Sequence, residues 1–163
     1  ADDLGQRLDL EVPDGYVVQP EERDDTGPSD LEKAISDDGG DDAREVFTRD
    51  RFVRGYQREW ALDDDDTIVS YVYQFADQAG AEDYTKRVTA DAGSPGDGVT
   101  AATFDVPEIA GAVGVTGSDG TFSTATVTFA KGPYSVQLLV TSTKPDGLES
   151  LVTSLAGEQY SKL

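Results

Sequence analysis

The chain has 163 residues, of which 33 are aspartate or glutamate and 13 are lysine or arginine, for a formal net charge of -20, and it contains no histidine, cysteine or methionine. Without imidazole or thiol there can be no Ser-His-Asp triad, no Cys-His nucleophile and no zinc or haem site ligated in the usual way. The charge repels nucleic-acid phosphates and anionic lipid headgroups, so neither nucleic acid nor an anionic membrane surface is an expected partner.

Leu8, Leu10 and Val12 alternate with Asp9 and Glu11 as in a half-buried strand, and Pro13-Asp14-Gly15 turns the chain into Tyr16-Val17-Val18. From Pro20 to Asp42 the composition shifts to Asp, Glu, Gly and Ser. Within that acidic loop, Leu31, Ala34 and Ile35 sit at helical spacing behind Ser29 or Asp30 as N-cap. Gly39-Gly40 ends that short helix, and Asp41 or Asp42 caps a second helical turn or two carrying Val46 and Phe47. Phe52 to Leu62 alternates as a strand, with Arg54, Tyr56, Arg58, Trp60 and Leu62 on one face and Val53, Gly55, Gln57, Glu59 and Ala61 on the other. The four-aspartate tip Asp63 to Asp66 leads into a partner strand, Ile68 to Phe75, with Val69, Tyr71, Tyr73 and Phe75 on one face. Asp77 then caps a helix to about Ala92 with Ala81, Tyr84 and Val88 on one stripe.

A Gly/Pro/Ser link, Gly93 to Gly98, precedes two short strands around Pro107, Thr103 to Val106 and Ala112 to Val115. A second hairpin follows: Thr121 to Ala130, a Lys131-Gly132-Pro133 turn, then a strand whose apolar face is Tyr134, Val136, Leu138 and Val140. Asp146 with Glu149 resembles a capping box for a C-terminal helix whose stripe runs Leu148, Leu151, Val152, Leu155, Ala156, Tyr160, Leu163. The expected class is α+β, an antiparallel sheet or pair of sheets with the two long helices on one face and the other face partly wet. The order of elements suggests an internal β-β-β-α duplication, about 8-92 and 103-163, with an acidic helical insertion at 20-51 of the first copy. One domain over 1-163 is expected, and no apolar run approaches the roughly 18 residues of a membrane-spanning helix. A chain that starts at Ala1 and lacks methionine is expected to have lost a leader, lipid-anchor segment or tag.

No acid stands out as catalytic. Glu59, between Arg58 and Trp60, and Asp105, between Phe104 and Val106, come nearest to the apolar setting that raises a carboxyl pKa, and both read as outward strand residues. The Asp63-Asp66 run and Asp37-Asp38-Gly39-Gly40-Asp41-Asp42 lack the alternating acids, sixth-position glycine and twelfth-position Glu of a calcium loop. The tip therefore reads as solvated, with Ca²⁺ the lesser alternative. Gly111 to Gly120 forms no phosphate-binding motif. Five of the eight arginines, Arg44, Arg49, Arg51, Arg54 and Arg58, fall within fifteen residues. Arg54, Tyr56, Arg58 and Trp60 share a strand face on which guanidinium forks alternate with aromatic planes, the chemistry that recognises a carboxylate, a sugar or a peptide. The competing reading pairs these arginines with the acidic insertion and leaves Tyr56 and Trp60 to the core. Tyr71 and Tyr73 read as packing residues.

Phe52-Val53-Arg54-Gly55-Tyr56-Gln57-Arg58-Glu59-Trp60, Val72-Tyr73-Gln74-Phe75-Ala76, Gly80-Ala81-Glu82-Asp83-Tyr84, Val106-Pro107 to Gly114 and Val127-Thr128-Phe129-Ala130-Lys131-Gly132 with Tyr134-Ser135-Val136 resemble uncharacterised secreted proteins and lipoproteins of actinobacteria, over roughly 45-163. The resemblance implies an extracytoplasmic place, secreted or lipid-anchored at the cell surface, and carries no catalytic residue, metal or cofactor. The expectation is a non-enzymatic cell-envelope domain that binds an envelope protein or glycan. The alternative is a hydrolase acting on a glycan through carboxylates or a divalent cation.

Overall fold

The computed structural model describes residues 4-20, 26-92, 98-144 and 146-163. Its frame is one antiparallel sheet of eight strands: β1 (Val17–Val18), β2 (Gly27–Ser29), β3 (Phe52–Ala61), β4 (Thr67–Phe75), β5 (Thr100–Asp105), β6 (Val113–Ser118), β7 (Ser123–Lys131) and β8 (Tyr134–Ser142). The order is β1-β3-β4-β8-β7-β6-β5, with β2 pairing on β3 beside β1. The described residues form four α-helices: α1 (Leu31–Asp38), α2 (Ala43–Arg49), α3 (Gln78–Ala92) and α4 (Leu148–Lys162). The α+β class, the two hairpins and both long helices are those the periodicity predicts, and no helix among the described residues is long and apolar enough to cross a membrane.

Local chemistry explains most boundaries. The Asp30 carboxylate accepts from the Lys33 N–H at the start of α1, and Gly39 closes the helix in the left-handed region at φ 73°. Asp77 accepts from the Gly80 N–H at 2.9 Å and so starts α3. Gly132, at φ 54°, is the first of the two residues joining β7 to β8, the position where a II′ hairpin turn requires glycine, and Pro133 fits the second.

β5 starts at Thr100 rather than Thr103 and β6 runs to Ser118 rather than Val115, and three further expectations fail. Leu4–Leu8 is a 3-10 turn and residues 9-13 form no strand: Leu8 and Leu10 are buried as predicted, but the backbone bonds locally, Val12 N–H to Leu10 O. Gly27-Pro28-Ser29, inside the stretch expected to be an acidic loop, forms β2, tolerable because proline sits on an edge strand. α4 starts after Gly147, at φ 82°, with no side-chain cap, so the Asp146-Glu149 capping box does not form.

The faces of the sheet are shared in a way the sequence does not announce. Trp60, Ile68, Val72, Ala125, Val127, Phe129, Val136, Leu138 and Val140 pack under α4 and the N-terminal turn. Tyr73 and Phe75 belong to a second core with Ala34, Ala43, Val46, Phe47, Ala81, Tyr84 and Val88, which puts α1, α2 and α3 on the opposite face. The two long helices, expected on one face, thus lie on opposite faces. The threonine side of β7 looks wet in sequence, but α3 covers it by matching hydroxyls: Thr85 meets Ser135 at 2.7 Å and Thr89 meets Thr128 at 2.5 Å. On the other side Gln159 of α4, fully enclosed, accepts from the Ser70 hydroxyl at 3.2 Å and donates to the Arg7 carbonyl at 2.7 Å.

The second core is aromatic and centres on Phe47, whose ring lies 4.8 Å from that of Tyr84, 5.3 Å from Phe52 and 5.7 Å from Tyr73. The acidic stretch that reads as an insertion therefore supplies the middle of a core. Phe47→Ala is expected to lower the unfolding free energy by about 3-5 kcal/mol, seen as a reduced urea midpoint at unchanged slope. A variant of native stability would contradict this placement.

Candidate functional site

Arg54, Tyr56, Arg58 and Trp60 alternate along β3, on the side that meets the N-terminal turn. Trp60 is 3% exposed and belongs to the core. The Arg58 guanidinium donates to the Gly5 carbonyl at 2.9 Å, lies 5.6 Å from the Tyr56 ring centre and stands 3.9 Å from the Asp9 carboxylate. Arg54 donates to the Gln74 amide oxygen at 2.6 Å. The other clustered arginines meet carboxylates: Arg44 meets Glu32 of α1 at 2.7 Å, Arg49 meets Asp50 and Asp83, and Arg51 meets Asp77. The face is thus partly roofed, and the arginine concentration serves mainly to fasten the acidic segment to its neighbours.

The acids have equally local roles. Asp63 accepts from the N–H groups of Asp65 at 2.9 Å and Asp66 at 2.8 Å, an Asx-type turn at the hairpin tip. Among the described residues no group of three or more acids is placed to hold a metal ion. Asp105 stands exposed at the end of β5 and Glu59 is half-buried on β3. Asp50 and Asp83 do adjoin. Burial, then the Asp83 carboxylate, push the Asp50 carboxyl up against the opposing pull of Arg49. Arg49 bridges both acids, so the pair joins α2 to α3 and presents no free acid and base.

The concavity with the richest chemistry is one that sequence patterning does not indicate. α1 and α3 stand apart on the second face of the sheet, and between them lies a cleft of about 330 Å³. Tyr71 and Tyr73 of β4 with Gln137 and Leu139 of β8 form its floor, Asp37 and Asp38 one wall, and Tyr84, Val88 and Asp91 of α3 the other. Gly55 makes the floor possible: a Cβ there would stand 2.4 Å from the Tyr73 ring, so glycine lets that ring lie across β3. The Tyr71 and Tyr73 ring centres are 6.4 Å apart and those of Tyr73 and Tyr84 5.7 Å.

A charged network closes the cleft at one end. Asp38, with a side chain 2% exposed, accepts from Tyr84 Oη at 2.9 Å, from the Gly40 N–H at 3.1 Å and from Arg87 at 2.9 Å. Burial alone would raise its pKa, but the Arg87, Tyr84 and Gly40 hydrogen bonds prevail and hold the carboxyl below its ordinary value. Arg87 also meets Asp42 at 2.8 Å. Lys33 donates to Asp37 at 2.6 Å and to the Gln57 amide oxygen at 2.6 Å, while Gln57 donates to Tyr71 Oη at 3.4 Å. Burial, then Asp37 and Glu59, push the Tyr71 hydroxyl up to about 12, and burial also raises Tyr73 and Tyr84. Near neutral pH the phenols are therefore uncharged while Asp38 is ionised. Asp91, exposed on the last turn of α3, has no hydrogen-bond or ion-pair partner among the described residues. Aromatic rings beside carboxylates are the surroundings that attract a cation with an apolar body.

The Asp38 network carries a pH dependence. A carboxyl whose folded pKa lies below the unfolded value stabilises the fold above about pH 4, and that contribution drains away as the pH falls through the folded pKa. Arg87→Ala is expected to lower the urea midpoint most near pH 7, with the gap to the parent protein narrowing toward about pH 3. A gap that stays constant across that range would mean that Arg87 acts by packing alone.

Known proteins share this fold at low identity. The crystal structure of the extracellular domain of PknH from Mycobacterium tuberculosis superposes with a TM-score of 0.54 over 91% of this chain and 83% of that one, at 9% sequence identity, which is likeness of fold alone. No curated protein matches the sequence. Residues 5–163 match the family model described as the N-terminal part of a domain of unknown function, DUF7373, and the chain belongs to that family.

Proposed function

We propose that this chain is a non-enzymatic, extracytoplasmic binding domain that takes a cationic group of its ligand into the cleft between α1 and α3. The observation that carries the reading is the convergence of Tyr71, Tyr73 and Tyr84 with Asp37, Asp38 and Asp91 around one cavity of about 330 Å³. An ammonium group against a tyrosine face gains about 0.5-1 kcal/mol when exposed and about 2 kcal/mol when desolvated, and a carboxylate at the rim adds charge complementarity. The chain's net charge of -20 draws cations toward every cleft, and here aromatic walls add selectivity for a cation with an apolar body.

The fold it shares with the extracellular domain of PknH is the support for placing the chain outside the cytoplasm and for a recognition role, and the envelope component bound there would present an amine or quaternary ammonium. A glycan hydrolase would need two carboxyl groups about 5-10 Å apart facing an open site. In this cleft Asp37 is taken by Lys33 and Asp38 by Arg87, which favours binding over turnover.

The test is thermal melting with choline, tetramethylammonium and cadaverine against sodium chloride of equal ionic strength and against neutral sugars. A ligand at 100 times its Kd adds about 2.7 kcal/mol, a shift of several degrees for a domain of this size. The organic ammonium ions are expected to raise the melting temperature beyond the salt control, and Tyr71→Ala and Asp91→Asn to remove the excess. An equal rise with sodium chloride, or a response only to neutral sugars, overturns the proposal.

A further inference from the structure

The two edges of the sheet are built differently. On one side β3 is shielded by β1, two residues long, and by β2, three residues long and containing Pro28. Short strands and proline are devices that keep an edge from pairing with another chain. On the other side β5 presents six residues paired to β6 in unbroken register from Thr100↔Ser118 to Asp105↔Val113, without a bulge. An outer strand spends on its neighbour only half of its backbone N–H and C=O groups. Among the described residues no turn or loop hydrogen bond involves β5, and residues 99-103 are all exposed. From Gly98 to Phe104 the edge carries no charged residue and no proline.

We propose that β5 is a docking edge for strand addition by an extended peptide segment bearing lysine or arginine. The backbone decides the shape of the partner, because unpaired strand groups are satisfied by another strand. Charge decides its chemistry: between Ala92 and Lys131 the chain has no lysine or arginine, while Asp105, Glu108 and Asp119 fall in that interval. A cavity of about 340 Å³ runs beside the edge, lined by Thr100, Ala102, Thr116 and Ser118 and reaching Leu148 and Glu149 at the start of α4. Small hydroxyl side chains there leave room for the long side chains of an added strand, and exposed Glu149 supplies a carboxylate for an ammonium group. A second copy of this chain suits the edge badly, since pairing would bring two bodies of net charge -20 together.

The inference stands apart from the cleft and is tested apart from it. The probe is a blocked peptide of about six residues alternating valine and lysine, beside a glutamate counterpart and a copy N-methylated along one edge. Amide hydrogen exchange of this chain is expected to slow at residues 100-105 with the lysine peptide and with neither control. Ala101→Lys, a substitution at an exposed edge position, is expected to abolish the protection with an unchanged circular dichroism spectrum. Equal binding of the N-methylated peptide, protection confined to other residues, or self-association through β5 without peptide overturns the inference.

Discussion

Burial of both faces of the central pair β4 and β8 is the constraint on which the rest depends. β4 sends Ile68 and Val72 toward α4 and Tyr73 and Phe75 toward α2 and α3, so neither side can be left to water. A strand that is apolar in both directions demands cover in both directions. α4 and the N-terminal turn supply it on one side. On the other side the cover is shared among three helices, and shared cover leaves a seam. The cleft of tyrosines and aspartates is that seam, lying between α1 and α3 over β4 and β8.

The acidic segment between β1 and β3 takes on a second meaning in this setting. Its negative charge is a solvated surface, yet Ala34, Ala43, Val46 and Phe47 form the interior of its two short helices and close the aromatic core. Arginines from α2, the following turn and α3 then fasten it by ion pairs with Glu32, Asp38, Asp42, Asp77 and Asp83. Exposed pairs of this kind contribute little singly. The one around Asp38 differs, because its carboxylate is enclosed and collects hydrogen bonds from Arg87, Tyr84 and Gly40, joining α1 to α3 at the end of the cleft. Stability and the shape of the candidate site are thus set by the same contacts.

Polar residues do interior work on both sides of the sheet. Thr85 and Thr89 of α3 meet Ser135 and Thr128, while Gln159 of α4 joins Ser70 to the N-terminal turn. Each hydroxyl or amide is buried against a partner, which removes the penalty of desolvating it alone. The arrangement lets a helix cover a threonine-rich strand face.

Periodicity alone was enough for the two hairpins, the helices after Asp30 and Asp77, the C-terminal helix and the antiparallel α+β class, because alternation and capping are local and each is written in a few consecutive residues. Absence was legible too: no imidazole, no thiol, and a charge that repels nucleic acid. Tertiary structure decided which face each helix covers, since the threonine side of β7 looks wet until hydroxyls from another element reach it. It decided that Leu8 and Leu10 are buried without forming a strand, and that Gly27-Pro28-Ser29 pairs with β3, because both depend on partners far along the chain. It also turned Trp60 inward and drew Asp37, Asp38, Tyr71, Tyr84 and Asp91 together from three elements. No spacing rule links an aspartate at the end of one helix to a tyrosine on a strand more than thirty residues away; only the packing of α1 and α3 on a shared sheet makes them neighbours.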